Sequence, residues 1–204
     1  MGSTTSTWLN RWRQQGRDLA QLRLISAHLG AGASLAAIKG GVCIDTTMGF
    51  TPLEGLVMAT RSGSVDPGLL LELMREGYDA ETMADILQKE SGLKGLSGLS
   101  GDMRELRTAA SNGHNGAIRA LNVFRHRLIQ LLGAMAASLR GVDVLALTGG
   151  IGEHDHQLQD ELKQALSWWG DIDLIVVPAD EEGMIARLCR RHSTPTPTSD
   201  WSAG

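Results

Sequence analysis

The residues best suited to chemistry sit beside glycines. His28-Leu29-Gly30-Ala31-Gly32 closes one apolar run and leads into another. Without Cβ atoms at Gly30 and Gly32, backbone N–H groups in such a turn can face an anion at close range. An ordinary tight β-turn would use the same residues. Gly150-Ile151-Gly152-Glu153-His154 follows Gly149 between an apolar run and a helical segment. Ligands of open α/β sheets lie at the carboxyl ends of strands, and a helix start adds free N–H donors. A phosphate or nucleotide therefore suits this segment, with a plain strand-to-helix turn as the alternative. The segment matches neither the dinucleotide fingerprint nor GxxxxGK[ST], which disfavours a Rossmann oxidoreductase and a P-loop NTPase.

Arg61 lies in Thr60-Arg61-Ser62-Gly63-Ser64, read as the end of a helix that starts at Thr51 with Pro52 in its first turn. A guanidinium there can clamp a phosphoryl group with two parallel hydrogen bonds, or merely offset the helix dipole. In Gly101-Asp102-Met103-Arg104, Asp102 can bond a ribose hydroxyl and Arg104 can lie against an adenine face. Otherwise Asp102 simply caps the next helix. Asp180-Glu181-Glu182 follow an apolar run and can bind Mg²⁺ or cap a helix start. His154 and His156 fit no standard zinc spacing and read as solvated. Cys43 and Cys189 read as core residues.

These side chains need a frame. At 204 residues, folding buries roughly 70% of the unfolded surface, enough for a core without staples. Hydrophobic residues make up 42% and charged residues 21%, which excludes a disordered chain. A net charge of −4 lacks the basic footprint of a nucleic-acid binder. No apolar run approaches the roughly 18 residues of a membrane helix, and the first residues lack the apolar region of a signal peptide. With two cysteines, a cytoplasmic location is expected. Glycine is the outlier, at 25 residues against the ~7% of an average protein.

The pattern predicts a short helix over 9–21, a strand over 22–30, and two strands over 33–46 turning at Gly40-Gly41. Helices are expected over 51–60, 66–77 and 79–92, then a glycine-serine loop over 93–102. The longest helix spans 115–139, with Ile118, Leu121, Phe124, Leu128, Leu131, Leu132 and Met135 on one face. Buried strands follow at 142–150 and 172–178, each leading to a helix, the second over 180–191. The expected division is an N-terminal segment (1–21), a folded lobe (22–191) and a Pro/Ser/Thr-rich, disordered tail (192–204). The fold class is α/β, a mixed sheet flanked by helices.

HLGAGASLAAI, DTTMGFTPLEGLVMATRSGSVDP, QKESGLKGLS–GDMRE and LTGGIGE stand in the order seen in acetate kinases, and the second is very specific. The sequence resembles that family over residues 18–190, with propionate and butyrate kinases as near relatives. The resemblance implies an actin-like ATPase fold built of two ribonuclease-H-like lobes, of which this chain resembles only the second. It implies reversible phosphoryl transfer between ATP and acetate, giving acetyl phosphate and ADP, with Mg²⁺ and as a homodimer. By matching position, His28 through Gly32 resemble the phosphate loop and Arg61 the transition-state arginine. Asp102, Met103 and Arg104 resemble the nucleoside-binding stretch, Gly150 through His154 the adenosine loop, and Glu181 the Mg²⁺ ligand. Ala31 and His154 each stand where the family usually has Asn. The family's first lobe, with its essential aspartate and substrate-binding arginine, has no counterpart in residues 1–21. An incomplete nucleotide-binding or dimer-forming module is therefore the alternative expectation.

Overall fold

The computed structural model describes residues 19–178. Its strands are β1 (Arg23–Leu29), β2 (Ala33–Lys39), β3 (Val42–Thr46), β4 (Val144–Thr148) and β5 (Asp173–Val176). They form one sheet in the order β3-β2-β1-β4-β5. β1 and β3 run antiparallel to β2, whereas β4 is parallel to β1 and to β5. The helices are α1 (Pro67–Arg75), α2 (Ala80–Asp85, continued by a π-turn over Ile86–Glu90), α3 (Gly92–Ser97), α4 (Met103–Ser111), α5 (Asn115–Leu139), α6 (Gly149–His154) and α7 (His156–Ala165). This is the mixed sheet of a ribonuclease-H-like lobe.

Alternation along β1 and β2 sets the core. Ile25, Ala27 and Leu29 face inward with Ala33, Leu35 and Ala37, while intervening residues stay half-buried. α5 crosses that face and also packs on α3 and α4. Its buried stripe runs through Ala117, Ala120, Phe124, Leu128, Leu132, Met135 and Leu139. Ile118 is turned out, and Leu121 and Leu131 are only half-buried. The stripe is shifted from the expected face because small residues mark the close contact. Gly116, for example, lies directly against the Ser97 carbonyl.

Several segments depart from expectation. Residues 51–60 form no helix, so Arg61 sits in a loop rather than at a helix end. Gly55 has φ +99°, and a Cβ there would lie 2.5 Å from the Thr47 carbonyl oxygen, which breaks any helix. Leu56, Val57 and Met58 are buried instead, as an apolar loop. The glycine-serine stretch is partly helical: Leu93 and Lys94 at the start of α3 donate to the carbonyls of Met58 and Ala59. That loop thus satisfies N–H groups a helix start leaves open. β5 is half-buried rather than fully buried, being the last strand of the sheet among the described residues. Cys43 lies on β3, which is mostly exposed, and is exposed itself. The expected helix over 9–21 is described only at Leu19–Gln21, a 3-10 turn. The helix over 180–191, the tail over 192–204, and Asp180, Glu181, Glu182 and Cys189 lie outside the described residues.

Candidate functional site

The carboxyl ends of β1 and β4 lie side by side, with His28 in register with Thr148. β1 ends in the turn Gly30–Gly32, closed by Gly30 N–H donating to the Gly32 carbonyl over 3.0 Å. β4 ends at Gly149, which has φ +80°. A Cβ there would come within 2.7 Å of the Leu29 carbonyl oxygen and 3.2 Å of His28 Cε1. Glycine is required by both the backbone angle and the close approach, and the two strand ends meet because of it.

The Arg61 loop joins the same place. Ala59 N–H donates to the Ala31 carbonyl over 3.1 Å. Arg61 Nη1 donates to the Pro52 carbonyl at 3.2 Å and lies 3.7 Å from where a Cβ on Gly32 would stand. The guanidinium therefore reaches the glycine turn from a loop rather than from a helix end. The loop in turn touches Gly101, whose Cβ would be 2.7 Å from the Ala59 carbonyl oxygen.

Asp102 follows Gly101 and caps α4. Its Oδ1 accepts from Arg104 N–H at 2.8 Å, and its Oδ2 pairs with Arg104 Nη2 at 2.7 Å. The Arg104 side chain first, and its N–H next, hold the Asp102 carboxyl down at about 2. Capping and ion pairing are thus both present. Met103 is buried in the core cluster, so it anchors this stretch from below.

Gly150 through His154 form α6. Gly149 N–H donates to Glu153 Oε1 over 3.1 Å, and His154 Nδ1 lies 3.0 Å from the Gly150 carbonyl oxygen. Gly150 is exposed, and a Cβ there would meet nothing within 4 Å. Buried Gln159 donates to the Gly152 and Glu153 carbonyls at 3.0 and 3.3 Å. His154 and His156 are both exposed, as their spacing implied.

Four expected segments therefore meet in sequence around one end of the sheet: the 28–32 turn, the Arg61 loop, the start of α4 and α6. Sequence reasoning missed the polar links that brace them, Arg107, Glu161 and Gln159. Helix periodicity marks these as outward positions, and their partners lie on other elements. Among the described residues no group of three or more His, Cys, Asp or Glu could hold a metal. These residues alone do not form a cation site, and Glu181 lies outside them.

A family model described as the acetokinase family matches residues 10–186. Across 172 residues the chain is 51% identical to an acetate kinase of Microcystis aeruginosa, spanning 82% of this chain and 43% of that one. It is 46% identical over 200 residues to an acetate kinase of Gloeobacter violaceus, spanning 87% and 49%. The crystal structure of Porphyromonas gingivalis acetate kinase superposes with a TM-score of 0.84 at 37% identity, covering 91% of this chain and 52% of that one. A propionate kinase from Francisella tularensis gives 0.80 at 31% identity, covering 91% and 53%. The chain spans about half the length of the curated relatives it matches.

Proposed function

The chain belongs to the acetokinase family, and from that premise we propose that it serves an acetate-kinase-type phosphotransferase as the lobe that holds the nucleotide. The observation that supports this best is the meeting of the 28–32 turn with the Arg61 loop through Ala59 N–H and the Ala31 carbonyl. A carboxylate oxygen of acetate attacks the terminal phosphorus of ATP, the bond to the ADP oxygen breaks, and acetyl phosphate and ADP result. Arg61 and His28 neutralise charge on the phosphoryl group in transit, where positioning and electrostatics do most of the work. Leu29, Gly30, Ala31 and Gly32 line the phosphate side. Ala31 has no side-chain amide to offer a phosphate, but its backbone carbonyl still holds the Arg61 loop.

Asp102 and Arg104, anchored from below by buried Met103, form one nucleoside wall, and Gly150, Ile151, Gly152, Glu153 and His154 form the other. Mg²⁺ accompanies the nucleotide phosphates, with Glu181 as its protein ligand. The lobe spans residues 22–191 and works in the cytoplasm. The acceptor is a short-chain carboxylate. Propionate and butyrate differ from acetate by only one or two methylenes, worth ~1–3 kcal/mol each.

The protein acts as a homodimer through α1. Met58–Arg61 form no helix, and α5 packs on the sheet, α3 and α4. α1 instead buries none of its residues and leaves Leu69, Leu71 and Met74 more than half exposed.

The match to about half the length of its relatives supports a second reading, a nucleotide-binding module that needs a complementary lobe to turn over. A hydroxamate assay with ATP, Mg²⁺ and acetate separates the two. Acyl phosphate formed by the purified 204-residue chain supports the phosphotransferase and removes the module; nucleotide binding without turnover supports the module.

A further inference from the structure

We infer that Arg107 is a positioning residue that sets the width of the nucleoside slot, an inference that rests on the nucleotide reading above. Arg107 lies one helical turn beyond Arg104 on α4. Its Nε and Nη2 each donate to Asp155 Oδ2 at 3.2 Å, and its Nη1 donates to Glu161 Oε1 at 3.0 Å. Asp155 directly follows His154, the last residue of α6. The contact therefore joins the wall that begins at Asp102 to the end of the wall formed by Gly150–His154.

Other contacts already link the remaining segments. Leu29 lies against Gly149, Ala31 bonds Ala59, and Ala59 lies against Gly101. The Arg107–Asp155 pair closes this chain of contacts into a ring. The backbone of α4 packs chiefly on α5, so the distance from α4 to the α6–α7 junction depends on side chains. The side chains of Arg107, Asp155 and Glu161 retain only 19%, 10% and 20% exposure. Solvent therefore screens them less than the exposed pairs elsewhere on the surface.

Both carboxylates have second duties that hold them still. Asp155 Oδ1 accepts from Leu158 N–H at 3.0 Å and caps α7. Glu161 Oε1 also accepts from Gln157 Nε2 at 2.9 Å, and Arg125 of α5 stands 4.0 Å from Glu161 Oε2. A planar guanidinium can bridge two carboxylates that a single ammonium cannot span in the same way. Arg107 thus reads the position of the α6–α7 junction and fixes α4 against it, without needing to touch the nucleotide.

The test is a double-mutant cycle on the full chain with Arg107→Met and Asp155→Asn, titrated with ADP and, separately, with tripolyphosphate. Asparagine keeps an oxygen to cap α7, so Asp155→Asn retains the helix if Arg107→Met unfolds. Each single variant is expected to weaken ADP by about fivefold or more, with the double variant no worse than either single, the coupling of two residues acting as one unit. Tripolyphosphate, which does not use the nucleoside walls, is expected to change by less than about twofold. ADP affinity unchanged in folded Arg107→Met or Asp155→Asn overturns the positioning role. So does equal loss for both ligands, which marks general destabilisation. If the unmodified chain binds tripolyphosphate but not ADP, the nucleoside reading itself fails, and the inference falls with it.

Discussion

Ala59 donates its backbone N–H to the Ala31 carbonyl over 3.1 Å, and so one hydrogen bond ties the arginine-bearing loop to the glycine turn. Because it is a backbone bond, it survives any side chain at position 31. The arrangement of Arg61 against Gly32 therefore does not depend on the side chain at position 31.

Arg61→Ala in the complete enzyme is expected to lower turnover by about a thousandfold or more, the scale of an arginine stabilising phosphoryl transfer. Folding should survive, since the side chain's bonds run to the Pro52 carbonyl and the Met58 sulfur at the edge of the loop. Steady-state rates with circular dichroism as control check this. Full activity in a folded variant removes the role.

Gly149→Ala and Gly150→Ala are expected to behave in opposite ways. Alanine at 149 must adopt φ +80° and push on the Leu29 carbonyl, costing about 2 kcal/mol or more. Alanine at 150 meets open space and should leave stability within about 0.5 kcal/mol, while its methyl intrudes on the nucleoside side and weakens ADP. Urea unfolding and ADP titration of both variants separate these effects. Equal stability of the two would contradict the packing described.

Asp102 carries a pH prediction. Its carboxyl is held at about 2 by Arg104, below the ~3.9 of an unfolded aspartate. The contact's contribution is thus full above about pH 4 and fades as pH falls toward 2. The gain is small, because the pair is open to solvent. A carbon-detected NMR titration should give an Asp102 midpoint near 2, rising toward the ordinary value in Arg104→Ala. An ordinary midpoint in the unmodified chain would argue against the pair.

Leu71→Glu on α1 should convert the proposed dimer to monomer with little change in stability, since Leu71 is 57% exposed within the protomer and leaves no cavity behind. Sedimentation equilibrium reads the mass directly. A variant that stays dimeric places the interface elsewhere.

Much of this fold was legible because local signals agree with the tertiary result. The turn at Gly40-Gly41, the caps at Asp66 and Asp102, and the length of α5 all follow from residue type and spacing. The segment 51–60 departs from the expected helix because, although Thr51-Pro52 is a sound helix start, the opposing forces are tertiary. Gly55 packs on Thr47, and Leu56, Val57 and Met58 are drawn into the core. The same loop lends its carbonyls to α3, which explains a helix inside a glycine-serine stretch. The site segments were visible as motifs. Their bracing was not, because Arg107 and Asp155 are 48 residues apart and nothing local pairs them.

Calorimetric titration of the purified chain with ADP and Mg²⁺ tests the central claim most directly. Saturable binding at one site per chain, weakened by Gly150→Ala, is the predicted result. A folded chain that gives no saturable heat, and no change in Tm at millimolar ADP, would contradict the claim that this lobe holds the nucleotide.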